Sequence, residues 1–115
     1  FLGSMNEFEG AVQSDGRVKL GLGLVDCAPP NQTAREVIVA IRPEDVVVSH
    51  APSGLKNEFP AALESQLFLG DITVYQLSIN GKKLRGKTTH ADRELAAGSQ
   101  VHVRLPAEKL KIFPK

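Results

Sequence analysis

Apolar residues along this chain fall in short runs, and most of the runs repeat every second position. Val101, Val103 and Leu105 alternate with His102 and Arg104, the pattern of a strand with one buried face. Glu36 to Ile41 and Val46 to Val48 are Val/Ile-rich and of strand length. Pro43 stands between them in Arg42-Pro43-Glu44-Asp45; lacking an N–H, it ends the ladder there. Phe59 to Leu69 carries Leu63, Leu67 and Leu69 in one phase, and Ile72 to Ile79 alternates less regularly. Asn80-Gly81 then marks a tight hairpin, with Leu84 to Lys87 as its return strand. Asp15-Gly16 gives a similar signal before Arg17 to Leu20, and Leu110, Ile112 and Phe113 form a last apolar run. Helix evidence is confined to His90–Ala97, about two turns with little to bury. Two loops interrupt the pattern, Cys27 to Arg35 and His50 to Lys56. Many short strands with Gly, Pro and Asn at the joints predict an all-β barrel or sandwich.

The second loop divides the chain into halves that resemble each other. Asn6-Glu7-Phe8-Glu9-Gly10-Ala11-Val12 parallels Asn57-Glu58-Phe59-Pro60-Ala61-Ala62-Leu63. Val39 to Val48 parallels Val103 to Ile112, each an apolar strand, a Pro, an acidic residue and another apolar strand. A repeat over about 6–49 and 57–113 implies one supersecondary unit used twice, each copy covering the other's open apolar face. The expected core is Phe8, Val39, Ile41, Leu63, Leu67, Val74, Leu77, Val103, Leu105 and Ile112.

Length and composition narrow the function. A chain of 115 residues is one ordinary domain, too short for a complete ATPase, kinase or dehydrogenase. Its single cysteine, Cys27, forms no internal disulfide, which suits a reducing compartment. The chain opens at Phe1 and its only methionine is Met5, so it reads as a piece of something longer. The net charge of +1 conceals an asymmetry. Residues 1–81 hold 5 basic and 10 acidic side chains, and residues 82–115 hold 9 and 3. A basic β segment suits single-stranded nucleic acid only with aromatic platforms, and past residue 81 the one aromatic is Phe113. The polarity therefore fits a solvated basic face, or one that meets an acidic protein surface, better than a nucleic-acid site, and no nucleic acid is expected as partner.

Candidate chemistry is sparse. Gly81-Lys82-Lys83-Leu84-Arg85-Gly86-Lys87-Thr88 satisfies the fixed positions of a phosphate-binding loop. Its interior is filled with long side chains, and no apolar strand ending in an aspartate follows to hold a metal, so a hairpin is the expectation. His50, His90 and His102 are scattered, and Cys27 has no ligand-spaced partner. Asp71 follows Gly70 at a strand boundary, where a turn is expected. No nucleophile or metal constellation emerges, and no catalytic, cofactor-binding or metal-ligating residue is expected within this chain.

Phe1-Leu2-Gly3-Ser4-Met5-Asn6, Ala40-Ile41-Arg42-Pro43-Glu44-Asp45-Val46, Leu69-Gly70-Asp71 and the closing Ile112-Phe113 occur in an order that resembles a known family. It is the C-terminal regulatory, transport-associated OB (TOBE) domain of ABC importer ATP-binding subunits, as in the maltose, iron and spermidine/putrescine importers. The resemblance implies a small OB-like barrel or sandwich built from two similar halves. It further implies a non-catalytic regulatory and dimerisation domain, with ATP and Mg handled only by the nucleotide-binding domain of the full-length subunit. Its implied partners are a second copy of the ATPase subunit, the membrane permeases reached through that nucleotide-binding domain, and a regulatory protein. The implied location is cytoplasmic, peripheral on the inner face of the cell membrane. Arg42, Glu44, Asp45 and Asp71 are the interface or regulatory candidates. Two other readings remain open: a nucleic-acid-binding OB protein, and a sensor of a small ligand or oxyanion.

Overall fold

A computed structural model describes residues 5–27, 35–90 and 95–115. Among them are ten strands and, as the only helical pieces, two 3₁₀ turns. The strands are β1 (Asn6–Val12), β2 (Val18–Leu20), β3 (Gly23–Val25), β4 (Glu36–Ile41), β5 (Val47–Ser49), β6 (Glu58–Leu69), β7 (Ile72–Ile79), β8 (Lys82–Thr88), β9 (Gln100–Arg104) and β10 (Lys111–Pro114). The turns are η1 (Pro43–Asp45) and η2 (Ala107–Lys109). The strands form two five-stranded sheets, ordered β10-β4-β1-β2-β3 and β5-β9-β6-β7-β8, with every pairing antiparallel. Both orders read alike when each half is taken in chain sequence. The fifth strand of each half, after its Pro-containing turn, crosses to the other half's sheet. The fold is the expected all-β, OB-like one.

The core lies between the sheets, with Val18, Val39, Ile41, Leu63, Leu77, Val101, Val103 and Leu105 fully buried. At about 25 cal/mol per Å² of apolar surface removed from water, side chains of this kind are the main stabilising contribution. Asn80 and Gly81 both have positive φ (50° and 78°), the geometry of a two-residue hairpin turn matched to the sheet twist. Residues 82–88 are accordingly an extended strand paired along β7, from Ile79↔Lys82 to Thr73↔Thr88, and not a phosphate loop. Strand β3 escapes sequence inspection because it is three residues long and opens on a glycine. Gly23 is required there: at φ 150° a Cβ would lie 2.5 Å from the Phe59 ring across the barrel.

Two expected core residues are misplaced by the sequence pattern. Leu67 is 53% exposed, and Val74, its cross-strand partner, is only half-buried. Val74 faces outward because β7 buries the alternate set Thr73, Tyr75, Leu77 and Ile79; for Leu67 the cause is a bulge between Leu63 and Ser65. One extra residue inverts the alternation, so Leu67 and Leu69 turn outward while Thr73, Tyr75 and Leu77 of β7 stay inside. Phe8 and Ile112 pack against the core while remaining partly exposed. The helix candidate over His90–Ala97 and the loop from Cys27 to Arg35 fall largely on residues 91–94 and 28–34, outside the described residues. No helix among the described residues is long and apolar enough to cross a membrane.

Two buried asparagines tie the halves together. Asn6 donates through Nδ2 to the Arg85 carbonyl and accepts the Arg85 N–H through Oδ1, both at 2.9 Å. Asn57 donates to the Asp26 carbonyl at 2.7 Å and accepts the Asp26 N–H at 2.8 Å. It also donates to the Leu105 carbonyl at 3.0 Å. Each amide thus imitates a strand on the outer edge of the opposite half, satisfying backbone groups that an open edge would leave for another chain.

Candidate functional site

The Arg42–Asp45 segment forms η1, held by Asp45 N–H to the Arg42 carbonyl (2.9 Å) and Val46 N–H to the Pro43 carbonyl (3.2 Å). Arg42 precedes the turn in extended conformation, and Pro43 opens it because its fixed φ suits a first helical position. Pro43 and Val46 are buried, so the turn is anchored on its apolar residues while Arg42 and Glu44 face solvent. This anchoring seats η1 against β8.

Among the described residues, two depressions adjoin η1. One, of about 210 Å³, has Leu69, Ile72 and Val74 of the β6–β7 hairpin as its apolar part, with Pro43, Glu44 and Lys87 among its other lining residues. The other, of about 230 Å³, lies beside β5 and includes Val46, Val48, Tyr75, Thr88 and His90. Glu44 and Lys87 border both. Asp71 sits exposed in the hairpin turn after Gly70, whose φ of 67° suits glycine, between two residues that line the first depression. The structure therefore brings Glu44 and the neighbours of Asp71 to one surface. Arg42 and Asp45 share the turn but line neither depression.

The hairpin adds a feature that the sequence hid. The β6–β9 ladder runs from Glu58↔Arg104 to Ala62↔Gln100, and among the described residues 65–69 have ladder partners in β7 alone. At that end of β6 Leu67, Phe68 and Leu69 are 53%, 65% and 53% exposed. Three successive large apolar side chains in water mark this end of the hairpin as a candidate interaction surface. A third cleft, of about 450 Å³, is lined by neutral groups including Ser78, Asn80, Ser99 and Gln100. Among the described residues no three His, Cys, Asp or Glu side chains come together to hold a metal ion.

The charge asymmetry is partly resolved within the fold. Lys115 pairs with Glu9 at 2.8 Å and approaches Glu36 at 3.8 Å, and Lys83 pairs with Glu64 at 2.6 Å. The hydrogen bond from Lys115, aided by its charge, lowers the Glu9 carboxyl below its ordinary range, and the same pair raises the Lys115 ammonium. Glu58 is likewise lowered, first by the Ser53 hydroxyl and further by backbone N–H groups of Ser53 and Gly54. That carboxylate fastens the loop between the halves to the start of β6. Burial raises the Cys27 thiol, with the Asp26 carboxylate adding to it, so Cys27 is a poor nucleophile.

The fold has a close counterpart among solved structures. The crystal structure of the cytoplasmic molybdate-binding protein ModG, with molybdate bound, superposes with a TM-score of 0.79 over 96% of each chain, at 17% sequence identity. At that identity the likeness is one of fold. The TOBE domain model matches residues 39–113, well over half of the chain and spanning η1, the β6–β7 hairpin and β8. The chain belongs to the TOBE domain family.

Proposed function

We propose that this chain is a non-catalytic regulatory and docking module of the ATP-binding subunit of an ABC-type solute importer. The observation that carries the proposal is the end of β6, where Leu67, Phe68 and Leu69 are exposed and Leu69 lines a depression with Glu44 of the η1 turn. A catalytic domain concentrates convergent polar groups in a cleft, whereas this surface is an apolar edge rimmed by Glu44, Asp71 and Lys87. Its partners in this reading are a second copy of the subunit and a regulatory protein, with the permeases reached through the nucleotide-binding domain. The location is cytoplasmic, peripheral on the inner face of the membrane. In the whole subunit, Phe68→Ser with Leu69→Ser weakens partner association and leaves ATP affinity unchanged; unchanged association contradicts the reading. ATP turnover by this chain alone contradicts it as well.

The likeness to ModG favours a second reading, a sensor of a small ligand or oxyanion. A thermal-shift panel of molybdate, ferric iron, polyamines and sugars tests it. A ligand at about 100 times its Kd stabilises by about 2.7 kcal/mol, a rise of several degrees for a domain of this size. No shift with any of them counts against a sensor.

A further inference from the structure

Resting on the docking reading above, we propose that the outward face of strands β6, β7 and β8, beside η1, receives a short segment of a partner protein carrying one large apolar side chain next to an acidic residue. The ladders fix which side chains share this face. Leu67 lies opposite Val74, and Val74 opposite Lys87, so the three form one row across the strands. Leu69 and Ile72 form the next row toward the turn. These rows point away from the core, because β7 buries the alternate set Thr73, Tyr75, Leu77 and Ile79. Leu67 and Leu69 are each about half exposed, and Ile72 and Val74 are half-buried, so four adjoining apolar side chains meet water.

Size and charge select the occupant. Four partly exposed side chains offer on the order of a few hundred Å², well below the roughly 800 Å² that each partner gives a standard interface between folded proteins. A second copy seated on this face alone is therefore under-supplied, whereas a short segment is not. The depression of about 210 Å³ on this face, with Leu69, Ile72 and Val74 as its apolar part, is below the roughly 300–1,000 Å³ of drug-sized sites and suits one large side chain. Lys87 sets the charge. It is exposed, lines the same depression, and makes no ion pair among the described residues. Lys83, two rows along the same face of β8, is by contrast held by Glu64 at 2.6 Å. A carboxylate beside the incoming apolar side chain answers Lys87, and a cation there is opposed by it. Glu44 lines the depression from η1, so the segment's carboxylate belongs on the β8 side.

The test is a random-peptide display selection on the immobilised chain, followed by titration of the most enriched peptide into the isotopically labelled chain. The expected result is enrichment of Leu, Phe or Trp beside Asp or Glu, with saturable amide shifts centred on Leu69, Ile72, Val74 and Lys87. Leu69→Ser weakens that peptide about tenfold and Lys87→Gln about threefold, Lys87→Glu weakens it further, and Glu44→Gln does not weaken it. Each variant keeps the parent's melting temperature to within a few degrees, because the altered side chains face water, and this separates lost binding from lost folding. No enrichment, a basic consensus, shifts centred elsewhere, or weaker binding by Glu44→Gln overturns the proposal. Concentration-dependent dimerisation that Leu67→Ser abolishes overturns it in favour of a second copy. The selection uses this chain alone. If it fails while Phe68→Ser with Leu69→Ser still weakens association in the whole subunit, the docking reading stands and only the occupant falls.

Discussion

Asn6 and Asn57 show how much one side chain carries in a fold this small. Each is buried and replaces a strand's hydrogen bonds with its own amide, so truncation strands backbone groups away from water. Asn57→Ala is expected to cost about 3 kcal/mol, and Asn6→Ala about 2 kcal/mol, by chemical denaturation. The larger figure reflects the third hydrogen bond and the positive φ of 63° at Asn57, which alanine tolerates poorly. A loss below about 0.5 kcal/mol in both variants contradicts the bridging role. These residues were legible as the matched opening of the two halves, but their task was not. An asparagine in a list of strand residues does not reveal that its partner is a backbone 79 or 31 positions away.

At the scale of elements, the alternating runs announced most strands, the hairpin at Asn80-Gly81 and the break at Pro43. The failures were β3, too short to show a pattern, and the facing of Val74 on β7 and Leu67 on β6. The leucines of β6 keep a perfect two-residue period, yet the bulge after Leu63 reverses the facing of everything beyond it. A bulge carries no dependable sequence mark, so period alone assigned Leu63 and Leu67 to the same face. Substitution separates them. Leu63→Ala is expected to cost about 2–5 kcal/mol, as for a fully buried leucine, and Leu67→Ser to change stability by less than about 0.5 kcal/mol. Comparable losses at both positions contradict the outward facing. The candidate site was legible to the extent that η1 and the Gly70-Asp71 turn were singled out. What unites them is the packing of η1 on β8 and the length of β6 beyond its β9 partner, neither of which is local in sequence.

For the whole molecule, the division into an acidic front and a basic rear finds part of its meaning inside the chain. Lys83 and Lys115, from the basic rear, pair with Glu64, Glu9 and Glu36 of the acidic front. These pairs are exposed, so their effect is modest and screened by salt. The sign of their pH dependence follows from the shifts. Glu9 and Glu58 titrate below their ordinary range, so their contribution is full above that range and lost as pH falls through the lowered values. Lys115 titrates above its ordinary range, so its contribution is full below that range and lost as pH rises through the raised value. Thermal melts across pH are therefore expected to show a plateau between the carboxylate and lysine ranges, falling at both ends and flattened by high salt. A maximum in acid contradicts this.

The central proposal is that this TOBE domain is the docking module of a transport ATPase encoded in the same gene. Reading the codons immediately upstream of Phe1 tests it most directly. The account expects a Walker A motif, a Leu-Ser-Gly-Gly-Gln signature and a Walker B strand encoded in frame before it. A start codon directly preceding Phe1 would contradict it.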